Sequence, residues 1–212
     1  MSRHGPNVLR TSRTAPDTRG RDPFVRRTIA ALLRNREYPP SEPFPGGHRL
    51  PRTVYGQTSR RKLLGRPPEE LHLVIAHLGG GCSACAVRDG VSVDTTMGFT
   101  PLDGLMMSHR GGSVDPGALT WLQTRHRLSA SEIENALNHE SGLLALSGTS
   151  DDTRDLVHDR AAGGDRAALA LDVFTHHCRK GVAAMAASLD RLDAPVFTGD
   201  IGEDQPEVRE EV

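Results

Sequence analysis

Gly79-Gly80-Gly81, directly after His77-Leu78, is the first group of residues suited to chemistry. Glycine permits positive φ and close approach of another molecule, so the N–H groups of such a bend can face phosphate oxygens with no Cβ in the way. Taken alone, such a triplet between strands is more often only a tight turn. Neither a P-loop nor a G-x-G-x-x-G fingerprint occurs in the chain, so a phosphate site here belongs to another fold class. Cys82 and Cys85 have the spacing of half a zinc site, but no second pair completes four ligands, and they read as small residues on a strand. His176, His177 and Cys178 fall in a helical run, where neighbours point to different faces and do not share a metal. No metal ligand is assigned.

These residues need elements to hold them. Leu71, Leu73, Val74, Ile75 and Ala76 make a strand-like run that stops at His77. A second run, Cys82 to Val87, the turn Arg88-Asp89-Gly90 and a third run, Val91 to Thr95, predict a three-stranded meander. Ser129 with Glu132 predicts a capping box for a helix over Ile133 to His139, and Ala167 to Leu192 is a long amphipathic run rich in Ala and Leu. Pro195-Val196-Phe197 predicts a further strand that ends in a loop containing Gly199 and Gly202.

With 212 residues, 36% of them hydrophobic and 25% charged, the chain has material for one sizeable core or two small ones. The net charge of -1 hides an asymmetry: Met1 to Glu70 carries 15 basic residues against 6 acidic ones, a balance of +9, which leaves -10 for the remainder. Residues 1–23, with Asp17 and Asp22 their only acids, are too polar to bury much surface and read as disordered, a composition shared with organelle transit peptides. Phe24 to Glu37 predicts a short basic amphipathic helix, and the prolines and glycines between Pro39 and Gly47 a linker. No recognisable nucleic-acid module accompanies the basic residues, and no run approaches the roughly 18 apolar residues of a membrane span. Three cysteines and no apolar leader near Met1 set the expectation of a reducing cytoplasm.

Three long segments follow one another in an order that is specific. They are His77 to Gly81, Ser92 to Met107 (SVDTTMGFTPLDGLMM), and His109 to Pro116 (HRGGSVDP). Glu140 to Gly148, Ser150 to Asp155 and Phe197 to Asp204 continue the series. Together, from about Val54 to Val212, they resemble acetate kinase. The resemblance implies an α/β fold, an actin-like ATPase (ribonuclease H-like) domain, for residues 54–212, with residues 1–53 as a basic, largely disordered or linker segment.

By resemblance, Arg110 matches the arginine that stabilises the transition state, a task for which its rigid donor fork can span two oxygens. His77, Leu78, Gly79, Gly80 and Gly81 match the first phosphate loop, with His77 near the transferred group. Asp152, Thr153 and Arg154 match a nucleotide-contacting segment, although alone they read as charges at a solvated helix start. Asp200, Ile201, Gly202, Glu203 and Asp204 match the loop that packs on the adenosine. Asp94 and Asp115 are acids within matched motifs and receive no role. The implied reaction is ATP and acetate to ADP and acetyl phosphate, with Mg2+, in a cytoplasmic homodimer that binds neither nucleic acid nor membrane. A propionate or butyrate kinase, and a noncatalytic remnant acting as a weak nucleotide-binding or dimerising module, stand as alternatives.

The chain departs from the family in four places. The N-terminal domain is absent or replaced by the basic segment, and Tyr55 to Arg60 looks like a shortened family motif without its second catalytic histidine. Gly80 stands where the family has Asn, and Asp200 and Asp204 stand where it has Gly and Asn, which predicts weaker ATP binding. The chain stops at Val212, short of the rest of the family's C-terminal domain, so the resemblance implies an incomplete domain.

Overall fold

The computed structural model describes residues 66–212, within the unit Leu50–Val212. The expectations for residues 1–23, for Phe24 to Glu37, for the linker, for Tyr55 to Arg60 and for a division at 53/54 lie outside the described residues.

A four-stranded sheet carries the rest. β1 (His72–Leu78), β2 (Cys82–Arg88) and β3 (Val91–Thr95) form the meander, and β4 (Ala194–Thr198) lies on the far side of β1, giving the order β3-β2-β1-β4. β1 pairs antiparallel with β2 and parallel with β4. β1 runs two residues beyond the expected stop, because His77 and Leu78 pair with Ser83 and Cys82 and His77 also pairs with Thr198. Only the three glycines are left to turn the chain. A register shift between Ala86 and Val87 marks a bulge toward β3.

Alternation along β1 sends its side chains to two different clusters. Val74, Ala76 and Leu78 enter the main core, and Leu71 and Leu73 join Val87 in a smaller cluster on the other face. Five helices separate β3 from β4: α1 (Pro116–Arg125), α2 (Ala130–His139), α3 (Gly142–Ser147), α4 (Thr153–Ala161) and α5 (Asp165–Ala187). α5 lays Leu171, Phe174 and Cys178 into the main core, all three essentially without exposure. Each such Leu or Phe contributes about 1.5–3 kcal/mol relative to an exposed position.

The expected capping box is present: Ser129 Oγ accepts from the Glu132 amide at 3.2 Å, and Glu132 Oε2 accepts from the Ser129 amide at 2.7 Å. α5 ends five residues earlier than the apolar run predicts. The Ser188 hydroxyl donates to Asp94 Oδ2 at 2.5 Å, and its carbonyl accepts from Arg88 at 2.8 Å, so tertiary bonds turn the chain where propensity would continue it. Asp193 then anchors β4 to β1: its carboxylate accepts from the His72 amide at 2.8 Å and from Arg66 and Arg191 at 3.2 Å each. These donors hold the Asp193 carboxyl well below the usual range, the His72 amide contributing most.

The segment after β4 corrects an expectation. It is not a loop but two short helices in succession, α6 (Gly199–Asp204) and α7 (Pro206–Glu211). Gly199 takes φ +84°, and a Cβ there would collide with the Leu78 carbonyl oxygen, so glycine is what lets the chain turn from strand into helix against the end of β1. Arg209 donates to the carbonyls of Gly202 and Glu203, satisfying acceptors that the short helix leaves open.

Candidate active site

β1 and β4 are parallel, so their carboxyl ends open on one side of the sheet, the position outside strand ends where α/β folds bind ligands. Gly79-Gly80-Gly81 leaves β1 there and α6 leaves β4. The two come so close that a Cβ on Gly79 would lie 2.5 Å from Asp200 Oδ1. The start of α4 supplies a third wall. Between them is a cavity of about 270 Å³ lined by Gly80, Ser108, Asp151, Asp152, Thr153, Arg154, Asp200, Ile201, Asp204 and Gln205.

Local chemistry explains each wall. Asp152 caps α4, accepting from the Arg154 amide at 2.9 Å, and the Arg154 guanidinium folds back onto the same carboxylate at 2.5–3.1 Å. The Arg154 guanidinium is the main cause of a depressed Asp152 carboxyl. The buried Ser108 donates to the Asp151 carbonyl at 3.3 Å, and His109 Nε2 meets Asp151 Oδ2 at 2.8 Å. Those two bonds fasten the segment before Arg110 to the head of α4. Asp200 and Asp204 have neither an ion pair nor a side-chain hydrogen bond among the described residues. The cavity therefore holds four carboxylates, two of them unpaired, against one guanidinium already committed to Asp152.

Of the residues singled out in the sequence, Gly80, Asp152, Thr153, Arg154, Asp200, Ile201 and Asp204 meet in this cavity. Gly79 abuts it through Asp200, and Gly81 completes the exposed bend. His77 is exposed beside it, its Nδ1 3.1 Å from Thr198 Oγ1. Leu78 has its side chain wholly in the core, which leaves only its backbone for the loop. Gly202 is buried against Phe197, and Glu203 is exposed outside the cavity. Arg110 is half-buried and does not line the cavity; its guanidinium lies 4.0 Å from Met107 Sδ and has no carboxylate partner among the described residues.

Ser108, Asp151 and Gln205 are cavity residues that sequence reasoning missed. Ser108 falls between two quoted motifs, Asp151 lies inside one without having been singled out, and Gln205 sits at the α6–α7 junction that was read as loop. Asp94 and Asp115 hold the fold together instead: Asp94 receives Ser188 and the Thr95 amide, and Asp115 caps α1 by accepting from the Gly117 amide at 2.7 Å. Cys82 is buried with its thiol donating to the Gly79 carbonyl, and burial pushes it up to about 12. Among the described residues, no group of three or more His, Cys, Asp or Glu side chains is placed to hold a metal ion.

Known proteins share this architecture. The family model described as the acetokinase family matches residues 52–212. The acetate kinase of Synechococcus sp. (strain JA-2-3B'a(2-13)) is 53% identical over 148 residues, 70% of this chain and 36% of that protein. The crystal structure of Porphyromonas gingivalis acetate kinase aligns with a TM-score of 0.70 at 37% identity, over 74% of this chain and 39% of its own. A propionate kinase from Francisella tularensis subsp. tularensis SCHU S4 aligns with a TM-score of 0.69 at 41% identity, over 74% and 40%. The sheet and its helices are thus part of an α/β, actin-like ATPase fold, and the chain spans well under half the length of the relatives it matches.

Proposed function

Because the chain belongs to the acetokinase family, we propose that its cavity seats ATP and that the protein is the nucleotide-binding part of an acetate kinase-type phosphotransferase. One observation carries this reading: three segments far apart in sequence, at Gly80, at Asp151 to Arg154 and at Asp200 to Gln205, converge at the carboxyl ends of two parallel strands. In the proposed reaction an acetate oxygen forms a bond to the γ-phosphorus as the bond to the ADP oxygen breaks, and ADP leaves with that electron pair. Acetate is the first acceptor in view, and the likeness to a propionate kinase extends the proposal to other short carboxylates.

Amides of the glycine bend would face the phosphates, and His77 would stand beside the transferred group, oriented by Thr198. Arg110, free of any carboxylate among the described residues, would supply charge to the equatorial oxygens. Magnesium belongs to this chemistry as a neutraliser of phosphate charge. The described donor set offers no protein cage for it, so no residue is assigned to it. We place the protein in the cytoplasm as a homodimer. No helix among the described residues is long and apolar enough to cross a membrane, and α1 buries none of its residues and exposes Trp121.

The test is a hydroxamate assay for acetyl phosphate with the full chain, ATP, magnesium and acetate. Product is expected, with Arg110→Ala lowering turnover about 10³-fold, the scale of a lost charge-stabilising arginine. Absence of product with intact nucleotide binding supports the second reading, a noncatalytic nucleotide-binding or dimerising module, which the two cavity carboxylates without a partner among the described residues favour.

A further inference from the structure

Arg110 ends a turn that the start of α3 grips by its backbone. The Met107 amide donates to the Arg110 carbonyl at 2.9 Å and closes the turn. The amides of Ser141, Leu143 and Leu144, donors of the kind a helix start leaves open, donate to the carbonyls of His109, Met107 and Ser108 at 2.9–3.0 Å. Gly142 takes φ +66°, and a Cβ there would collide with the Met107 carbonyl oxygen and stand 2.8 Å from the Arg110 amide nitrogen. From α3 the chain reaches α4 through a bonded turn: Ser147 Oγ donates to the Ser150 carbonyl at 2.6 Å, and Ser150 Oγ accepts from the Asp152 amide at 3.1 Å and donates to Asp155 Oδ2 at 2.8 Å. His109 closes this path into a ring, its Nε2 2.8 Å from Asp151 Oδ2, and Ser108 adds a second bond, to the Asp151 carbonyl at 3.3 Å.

We propose that His109 is a positioning residue for Arg110: by holding Asp151 it fixes where the arginine stands relative to phosphates at the cavity, without touching them itself. Asp151 lines the cavity and His109 does not, and the imidazole Nε2 is already engaged. The side chains of the pair are 47% and 41% exposed, and a pair so open to water adds little to stability, so its contribution is to geometry. Arg110 depends on that geometry, because the one side chain within reach of its guanidinium among the described residues is Met107, with Sδ at 4.0 Å, which leaves its aim to the placing of its backbone. A displacement of about 1 Å near a reacting group costs up to about 100-fold in rate. The inference rests on the phosphotransferase reading above and adds how the arginine is aimed.

The experiment titrates the full chain, with magnesium present, with ADP alone and with ADP, acetate and aluminium fluoride, a planar mimic of the phosphoryl group in transfer, following heat. The wild type is expected to bind the mimic about 100-fold more tightly than ADP alone. His109→Ala lowers affinity for the mimic about tenfold and leaves ADP within about twofold, since Ser108 still holds the ring loosely. Arg110→Ala removes most of the gain, and His109→Ala added to it changes affinity by less than about twofold, because residues that act as a unit do not add. His109→Gln, which returns an N–H donor near the Nε2 position, recovers most of the loss. His109→Phe keeps a ring without the donor and is read instead if circular dichroism shows that the Ala variant is unfolded. Unchanged affinity in His109→Ala, a loss shared equally by ADP alone, or a loss that adds in full to that of Arg110→Ala overturns the positioning role while leaving the phosphotransferase reading standing. A wild type that fails to bind ADP, or that gains nothing from aluminium fluoride, overturns that reading and this inference with it.

Discussion

His77 Nδ1 lies 3.1 Å from Thr198 Oγ1, joining the last registered residues of two parallel strands whose loops form opposite walls of the cavity. The next residue, Gly199, brings its backbone so close that a Cβ there would stand 3.0 Å from His77 Cε1. The imidazole is thus held between a hydroxyl and a turn. Thr198→Val keeps the shape of the side chain and removes the hydrogen bond. The cost should be about 0.5–1 kcal/mol, the lower part of the usual range because water reaches His77. Urea denaturation measures it, and an unchanged midpoint would show that the contact contributes nothing.

Acid should weaken the fold through its anchored carboxylates. Asp193, held by the His72 amide and two arginines, and Asp152, held by Arg154, both lie below the ordinary value of 3.8. A depressed carboxyl adds stability that is complete above its unfolded value and is lost as pH falls through its folded one. Melting temperature should therefore hold at neutral pH and drop progressively below about pH 4. Asp193→Asn, unable to ionise, should melt lower at pH 7 and lose less on acidification. Parallel slopes for variant and wild type would refute the assignment.

Charge in the cavity makes a second binding prediction. A unit negative charge about 4 Å from a phosphate oxygen at an effective dielectric near 20 opposes binding by about 4 kcal/mol before screening, and less at greater distance. Asp200→Asn with Asp204→Asn retains an oxygen acceptor at each position and removes both charges. Tripolyphosphate should bind about tenfold more tightly to the double variant at low salt, with the difference shrinking as ionic strength shortens the screening length. A gain that is independent of salt would point to a change of shape instead.

The meander was legible because its signals are local: glycines and Asp89-Gly90 punctuate runs that alternate with period two, and Ser129 and Glu132 announce a helix from three residues apart. The family likeness is legible for the same reason, resting on contiguous motifs. What escaped depends on partners distant in the chain. β1 gains His77 and Leu78 only because Ser83, Cys82 and Thr198 lie alongside. α5 stops at Ala187 because Asp94 and Arg88 take up Ser188. Gly199 and Gly202 read as loop residues in isolation, yet the carbonyl of Leu78 and the guanidinium of Arg209 shape their segment into helix. Gln205 lines the same cavity as Asp152 and Arg154, a juxtaposition that their distance in sequence does not announce.

β1 is hydrogen-bonded on both sides and covered on both faces, whereas α6 is six residues long and meets α7 directly at Gln205. Amides of the central strand should be among the last to exchange with deuterium, and those of the short helix among the first. The cavity then has walls on two clocks. The edge formed by His77 and the glycine bend is anchored to the strand that should exchange last, and the edge formed by Asp200 to Gln205 should exchange well before it.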